Sequence, residues 1–308
     1  MSHVVLKLTT NEIEKMKVSY QNSLISKLPP GAVFAAKTSN CSITAYKSGK
    51  VLFQGGGSEA EASRWGTTET SQETKKTKAV QNQLPANFAN LSVVGSDEVG
   101  TGDFFGPITV VAAYVKKEDI PLLKELGVKD SKGLNDEKII SIAKQIKDIV
   151  PHSLLTLHNE KYNKLQKSGM SQGKLKALLH NQAIEHVLNK IKPVKPEAIL
   201  IDQFAQKDVY YGYLKGQKSI QREDVYFSTK AEGVHLSVAA ASILARYAFV
   251  RHFENLSKNA GFTLPKGAGA QVDVAAARLI KEKGEAVLPN FVKLHFANTE
   301  KAMKLVRR

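Results

Sequence analysis

Leu91-Ser-Val-Val-Gly95-Ser-Asp-Glu-Val-Gly100-Thr-Gly102 begins as an apolar run and ends in two adjacent acids and two glycines set one residue apart. Short apolar runs bounded by turn residues read as strands, so Leu91 to Gly95 is predicted to be one. Ile108-Thr-Val-Val-Ala-Ala-Tyr-Val115 is a second, apolar enough to lie centrally in a sheet covered on both faces. Further along, 135–150 and 174–191 carry helical spacing, with Leu175, Leu178, Leu179, Ile184, Val187, Leu188 and Ile191 marking the buried stripe of the latter. Ala198-Ile-Leu-Ile201 is another short strand, running into Asp202, and 234–253 is an Ala-rich helix buried over much of its surface. Strands alternating with long helices predict an α/β domain over residues 91–308.

Upstream the character differs. Residues 67–90 are rich in Thr, Gln, Asn and Lys without apolar periodicity, which predicts a linker. Residues 1–66 read as a small α+β unit. Ile13, Met16, Tyr20 and Leu24 place a helix over 10–26 with Asn11 as its cap, and Pro29-Pro30-Gly31 ends it. Strands follow at 32–36, 42–46 and 51–54, the last two joined by a hairpin turn at Lys47-Ser-Gly-Lys50. Ser58, with Glu61 three residues on, forms a capping box for a helix over 58–65.

Composition narrows the function. With 308 residues and one cysteine, Cys41, neither an internal disulfide nor a Cys/His zinc cage is available. No run approaches the ~18 apolar residues of a membrane span. The first ten residues do not resemble a signal peptide, so a cytoplasmic location is expected. The net charge is +15, shared by both parts: residues 1–90 hold 11 Lys and Arg against 6 Asp and Glu, and the remainder 33 against 23. Such a distribution suits a polyanion lying across both.

Three acidic positions stand at the edges of apolar elements: the pair Asp97-Glu98, Asp202, and Glu232 before the Ala-rich helix. Strand ends of an open α/β sheet converge on one edge, so these acids are expected to meet despite their separation in sequence. Four clustered carboxylates need cations, and hard oxygen ligands select Mg²⁺ or Mn²⁺, which suits two-metal cleavage of a phosphodiester. Alternation along a strand points Asp97 and Glu98 to opposite faces, so one of them requires a bulge or a protein partner. The backbone of Gly100-Thr101-Gly102 is able to approach sugar and phosphate closely.

These residues carry a family resemblance. Gly95-Ser-Asp-Glu-Val-Gly-Thr-Gly-Asp-Phe-Phe-Gly-Pro107, Val128-Lys-Asp-Ser-Lys132, Asp202, Lys230-Ala-Glu232, Ser237-Val-Ala-Ala-Ala-Ser-Ile243, Leu264-Pro-Lys-Gly-Ala-Gly269 and His295-Phe-Ala-Asn-Thr299 closely resemble bacterial ribonuclease HIII over nearly the whole chain. The resemblance implies an RNase H-like catalytic domain preceded by a domain similar to one TATA-box-binding-protein repeat. It also implies a monomeric endonuclease that uses Mg²⁺ or Mn²⁺ to cut the RNA strand of RNA/DNA hybrids, without a membrane partner. It assigns Asp97, Glu98, Asp202 and Glu232 as catalytic metal ligands, and turns Ser131 and Lys132 toward the nucleic acid, Lys132 as a phosphate contact. Lys266 is a similar case. His235 and His295 are expected to serve packing. Two departures from ribonuclease HII, Gly100-Thr101-Gly102 in place of Gly-Arg-Gly and Glu232 in place of Asp, match the HIII pattern. The tyrosine with which HII enzymes read RNA–DNA junctions has no clear counterpart.

Overall fold

The computed structural model describes residues 3–26, 28–29, 31–66 and 84–307, and the chain divides into two compact units, Met1–Gln81 and Asn82–Arg308. The N-terminal unit comprises β1 (His3–Lys7), α1 (Thr10–Ser19), β2 (Ala32–Lys37), β3 (Ser42–Tyr46), β4 (Lys50–Gln54) and α2 (Ser58–Ser63). Its strands form an antiparallel sheet in the order β1-β4-β3-β2. One face buries Phe34, Ile43, Val51 and Phe53 against Ile13, Met16 and Tyr20 of the first helical segment and Ala62 of α2. The other face leaves Val5, Lys7, Lys50 and Gln54 exposed.

Several local expectations need correction. α1 starts one residue earlier than the proposed cap: Thr9, not Asn11, is the N-cap, and it exchanges hydrogen bonds with Glu12 in a capping box. The helix stops at Ser19, and Leu24 is exposed rather than core-facing. Ser58 is the first residue of α2, whose N-cap is Gly57, while Glu61 accepts a 2.6 Å bond from the Tyr20 hydroxyl. β1, which sequence spacing did not reveal, occupies one edge of the sheet and pairs with β4. Pro30 of the predicted chain break and residues 67–83 of the predicted linker lie outside the described residues. The rest of that segment is built into the second unit: Phe88 is buried there, its ring edge-on to Tyr226 and His235.

The second unit runs β5 (Val93–Val99), β6 (Ile108–Val115), α3 (Ile120–Glu125), α4 (Asp136–Ile146), β7 (His152–Leu157), α5 (Asn159–Lys167), α6 (Gln172–Ile191), β8 (Ala198–Asp202), α7 (Lys207–Tyr213), β9 (Val225–Ser228), α8 (Leu236–Ala260), α9 (Ala270–Lys283), α10 (Leu288–Phe291) and α11 (Asn298–Val306). The sheet order is β7-β6-β5-β8-β9, antiparallel from β7 to β5 and parallel from β5 to β9. Helix α6 covers one face through Leu175, Ile184, Val187 and Ile191. Helices α4 and α8 cover the other, so all eight residues of β6 are buried. α8 lies on β5 at Gly95, where a Cβ would stand 2.3 Å from the Val238 nitrogen. Only glycine permits that approach.

Candidate active site

β5 extends to Val99, so Asp97 and Glu98 lie within the strand and not beyond its end. The pairing with β6 is regular, Asp97 opposite Val111 and Glu98 opposite Val110, with no bulge. The pleat therefore separates the two acids. Val94, Ser96 and Glu98 face α6, and Gly95 and Asp97 face α8. The parallel register sets Ser96 against Ile201, so Asp97 comes level with Asp202 at the end of β8. Asp202 in turn accepts a 2.8 Å bond from the Ala231 amide, in the short 3-10 turn that carries Glu232.

Each acid has a distinct environment. Burial, with the charges of Glu98 and Asp202 adding to it, pushes Asp97 up to about 8 against a hydrogen bond from Ser242. Burial acts the same way on Glu98 but is outweighed by the His180 and Lys176 side chains, which hold it down at about 2. Lys176 Nζ lies 2.8 Å from Oε1 and His180 Nε2 2.9 Å from Oε2, while His180 Nδ1 meets the Ser96 hydroxyl. Asp202 is raised by burial and by the Glu232 and Glu98 charges, against the Ala231 amide. Glu232 is buried; one carboxylate oxygen pairs with the Lys132 ammonium, and the other, Oε2, is buried without a partner.

Asp97 thus feels the charges of Glu98 and Asp202, and Asp202 those of Glu98 and Glu232. Among the described residues, however, no three His, Cys, Asp or Glu side chains stand together as a closed ligand set. The physical reason lies in the partners just named: Glu98 is turned to α6 and Glu232 to Lys132. The donor set still fits a hard divalent ion, because an orphaned carboxylate oxygen and a carboxyl raised by burial and neighbouring acids are both relieved by a cation.

The remaining predicted residues divide. Gly100 has φ +95°, and a Cβ there would come within 2.2 Å of the Pro107 carbonyl oxygen, whereas Gly102 faces open space. The Thr101 carbonyl accepts a 3.1 Å bond from Gln172. Ser131 is buried and its hydroxyl meets that of Ser242, so its side chain points inward rather than outward to a ligand. Lys132 has a side chain 68% exposed and reaches over to Glu232. Lys266 pairs with Asp136. His235 caps α8 by accepting from the Ser237 amide, and burial lowers it to about 4. His295 lies on the surface against the Tyr162 ring and not in the core. Sequence reasoning missed Lys176, His180 and Ser242; the one usable signal was that cationic and polar residues interrupt otherwise apolar helices.

A family model described as Ribonuclease HII matches residues 94–299, and one described as Domain of unknown function (DUF3378) matches residues 3–78. Ribonuclease HIII of Bacillus cereus is 61% identical over 307 residues, covering 99% of this chain and 99% of its own. The chain belongs to the ribonuclease HIII family. Metal-dependent ribonuclease H activity comes with that membership. A crystal structure of Bst-RNase HIII in complex with Mn²⁺ is 49% identical, with a TM-score of 0.70 and all of both chains covered. The ribonuclease H2 of Pyrococcus horikoshii OT3, 24% identical with a TM-score of 0.57, covers 71% of this chain and all of its own; it shares the fold. Among the described residues no helix is long and apolar enough to cross a membrane.

Proposed function

We propose that the enzyme is a monomeric, cytoplasmic endoribonuclease that hydrolyses the RNA strand of RNA/DNA hybrids and leaves 5′-phosphate and 3′-hydroxyl ends. Asp97, Glu98, Asp202 and Glu232 are its metal ligands, for Mg²⁺ or Mn²⁺. The observation that carries this reading is the buried, unpartnered Oε2 of Glu232, in the turn whose Ala231 amide bonds Asp202. Two divalent ions, when bound, supply an activated water and stabilise the leaving 3′ oxygen.

The chain's own residues do the rest. Asp97 gives up its proton as the charge around it is neutralised. Lys176 and His180 hold Glu98 in one orientation from the α6 side, as outer partners of metal ligands do. The open side of Gly102 leaves room for a sugar-phosphate backbone against the peptide, and Gly100 sets the turn that presents it. Lys132 is exposed enough to leave Glu232 for a phosphate. Ser131 acts from behind, through Ser242, on Asp97.

End-labelled RNA/DNA hybrid and a duplex carrying one ribonucleotide, each incubated with and without EDTA, test the reading. Cleavage of the hybrid alone, abolished by EDTA and yielding 5′-phosphate ends, is expected. 2′,3′-cyclic phosphate ends would contradict it, since they require attack by the 2′-hydroxyl.

A further inference from the structure

Lys293 is fully buried and, among the described residues, has no carboxylate within ion-pair distance: its ammonium donates to the carbonyl oxygens of Asp103 at 2.7 Å and Gly106 at 2.6 Å. The Asp103 carboxylate accepts from the Gly267 amide at 2.6 Å and acts on Lys293 only through its charge, without a direct ion pair. Burial accordingly lowers Lys293 to about 7, against the attraction of Asp103. An unpaired buried ammonium is costly, and an apolar side chain of the same length would fill the space without that cost. What a lysine supplies here is donors for two carbonyls of one loop, the Gly106 carbonyl also accepting from Asn159 at 2.9 Å. That loop, 100–106, follows directly from the Asp97-Glu98 pair. Its other end is held from α6, where half-buried Gln172 donates to the Thr101 carbonyl at 3.1 Å and to the Tyr162 hydroxyl at 3.2 Å.

We propose that Lys293 and Gln172 are positioning residues that clamp the 100–106 loop from opposite ends, so that the backbone of Gly100-Thr101-Gly102 is already shaped for the sugar-phosphate strand of the substrate. The inference rests on the hybrid-cleavage reading above. Neither residue touches the substrate; both act through the carbonyls they hold. A preshaped loop binds without the entropy cost of ordering, so loosening it weakens binding more than it slows turnover.

The test uses the full-length enzyme, Lys293→Met and Gln172→Met, with three measurements: steady-state cleavage of labelled hybrid, equilibrium binding of the same hybrid in EDTA, and thermal melting. Both variants should raise KM and the EDTA Kd about tenfold or more while kcat stays within threefold. A merely structural role moves other quantities: the melting temperature and the active fraction fall together, and the Kd of the folded protein stays at the wild-type value. That pattern, or wild-type Kd in either folded variant, overturns the proposal. Gln172→Met removes a carbonyl contact without disturbing the buried charge, so it decides the matter alone where Lys293→Met does not fold. Wild-type enzyme that neither binds nor cuts hybrid sinks the functional reading; wild-type enzyme that does both, beside variants of unchanged affinity, sinks the clamp alone.

Discussion

The two sheets of this chain are clothed differently. The four-stranded sheet packs helices on one face and leaves Val5, Lys7 and Lys50 exposed on the other, where Val5, Lys50, Tyr46, Lys47 and Leu52 line a shallow depression. The five-stranded sheet is covered on both faces, and β6 has no exposed residue. An open face offers area and charge but stays in water, where ionisation is hard to tune. A closed sheet offers only its strand ends, yet there two adjacent acids part: burial pushes Asp97 up to about 8, while His180 and Lys176 outweigh burial and hold Glu98 at about 2. On the proposed reading, that contrast predicts affinity from the first sheet and chemistry from the second.

The largest expected effect tests the second half of that contrast. Asp202→Asn is nearly isosteric and removes one ligand charge, so cleavage should fall about a thousandfold or more, about 4 kcal/mol of barrier. Hybrid binding should change little. Retention of more than about a tenth of the wild-type rate removes Asp202 from the ligand set.

Deleting residues 1–81 tests the first half. The cut must stop short of Phe88, which is core to the catalytic unit. KM should rise about tenfold or more with kcat nearly unchanged, and each lost phosphate contact should flatten log affinity against log salt by about 0.9. An unchanged KM and salt slope in a folded truncation would make the first unit a stability or docking module instead.

Stability should follow the same division on a smaller scale. Gly95→Ala inserts a methyl where the α8 backbone leaves no room, at a cost of about 1–3 kcal/mol in denaturant melts. Val5→Thr on the open face, 51% exposed, should cost less than about 0.5 kcal/mol. Equal costs would mean that the two faces are not differently packed.

A pH dependence within the covered layer follows from one buried ring. His235 stays neutral in the folded chain down to about 4, whereas the unfolded ring takes a proton from pH 6.5 downward. The unfolded state binds more protons in that window, so stability is lost as pH falls through it, by up to about 1.4 kcal/mol per unit. His235→Asn keeps an acceptor for the Ser237 amide and should flatten this part of the curve; an unchanged slope assigns the acid sensitivity elsewhere.

The sequence was most readable where one period dominates. Ile108–Val115 is a strand at its expected bounds, and the apolar run Ala198 to Ile201 is one too, extended by a single residue to take in Asp202. It was least readable where position in the sheet overrides local pattern. β1 and β7 are edge strands of mixed character, and β5 continues through Asp97 and Glu98 because the ladder with β6 compensates what two acids cost a strand. The candidate acids stood out as charges at apolar boundaries. Their holders did not: Lys176, His180 and Ser242 are ordinary helix residues until tertiary packing brings α6 and α8 onto opposite sides of β5.

Gly95 has a consequence beyond the fit of a helix. Side chains alternate along a strand, so a one-residue slip of β5 would exchange the faces of Asp97 and Glu98 and hand each the other's surroundings. Such a slip would also bring Val94 or Ser96 beneath Ser237 and Val238, where even a Cβ has no space. The missing side chain thus works as an index mark, rejecting the out-of-phase ladder two residues ahead of the acids and so deciding which of them meets Ser242 and which meets Lys176 and His180.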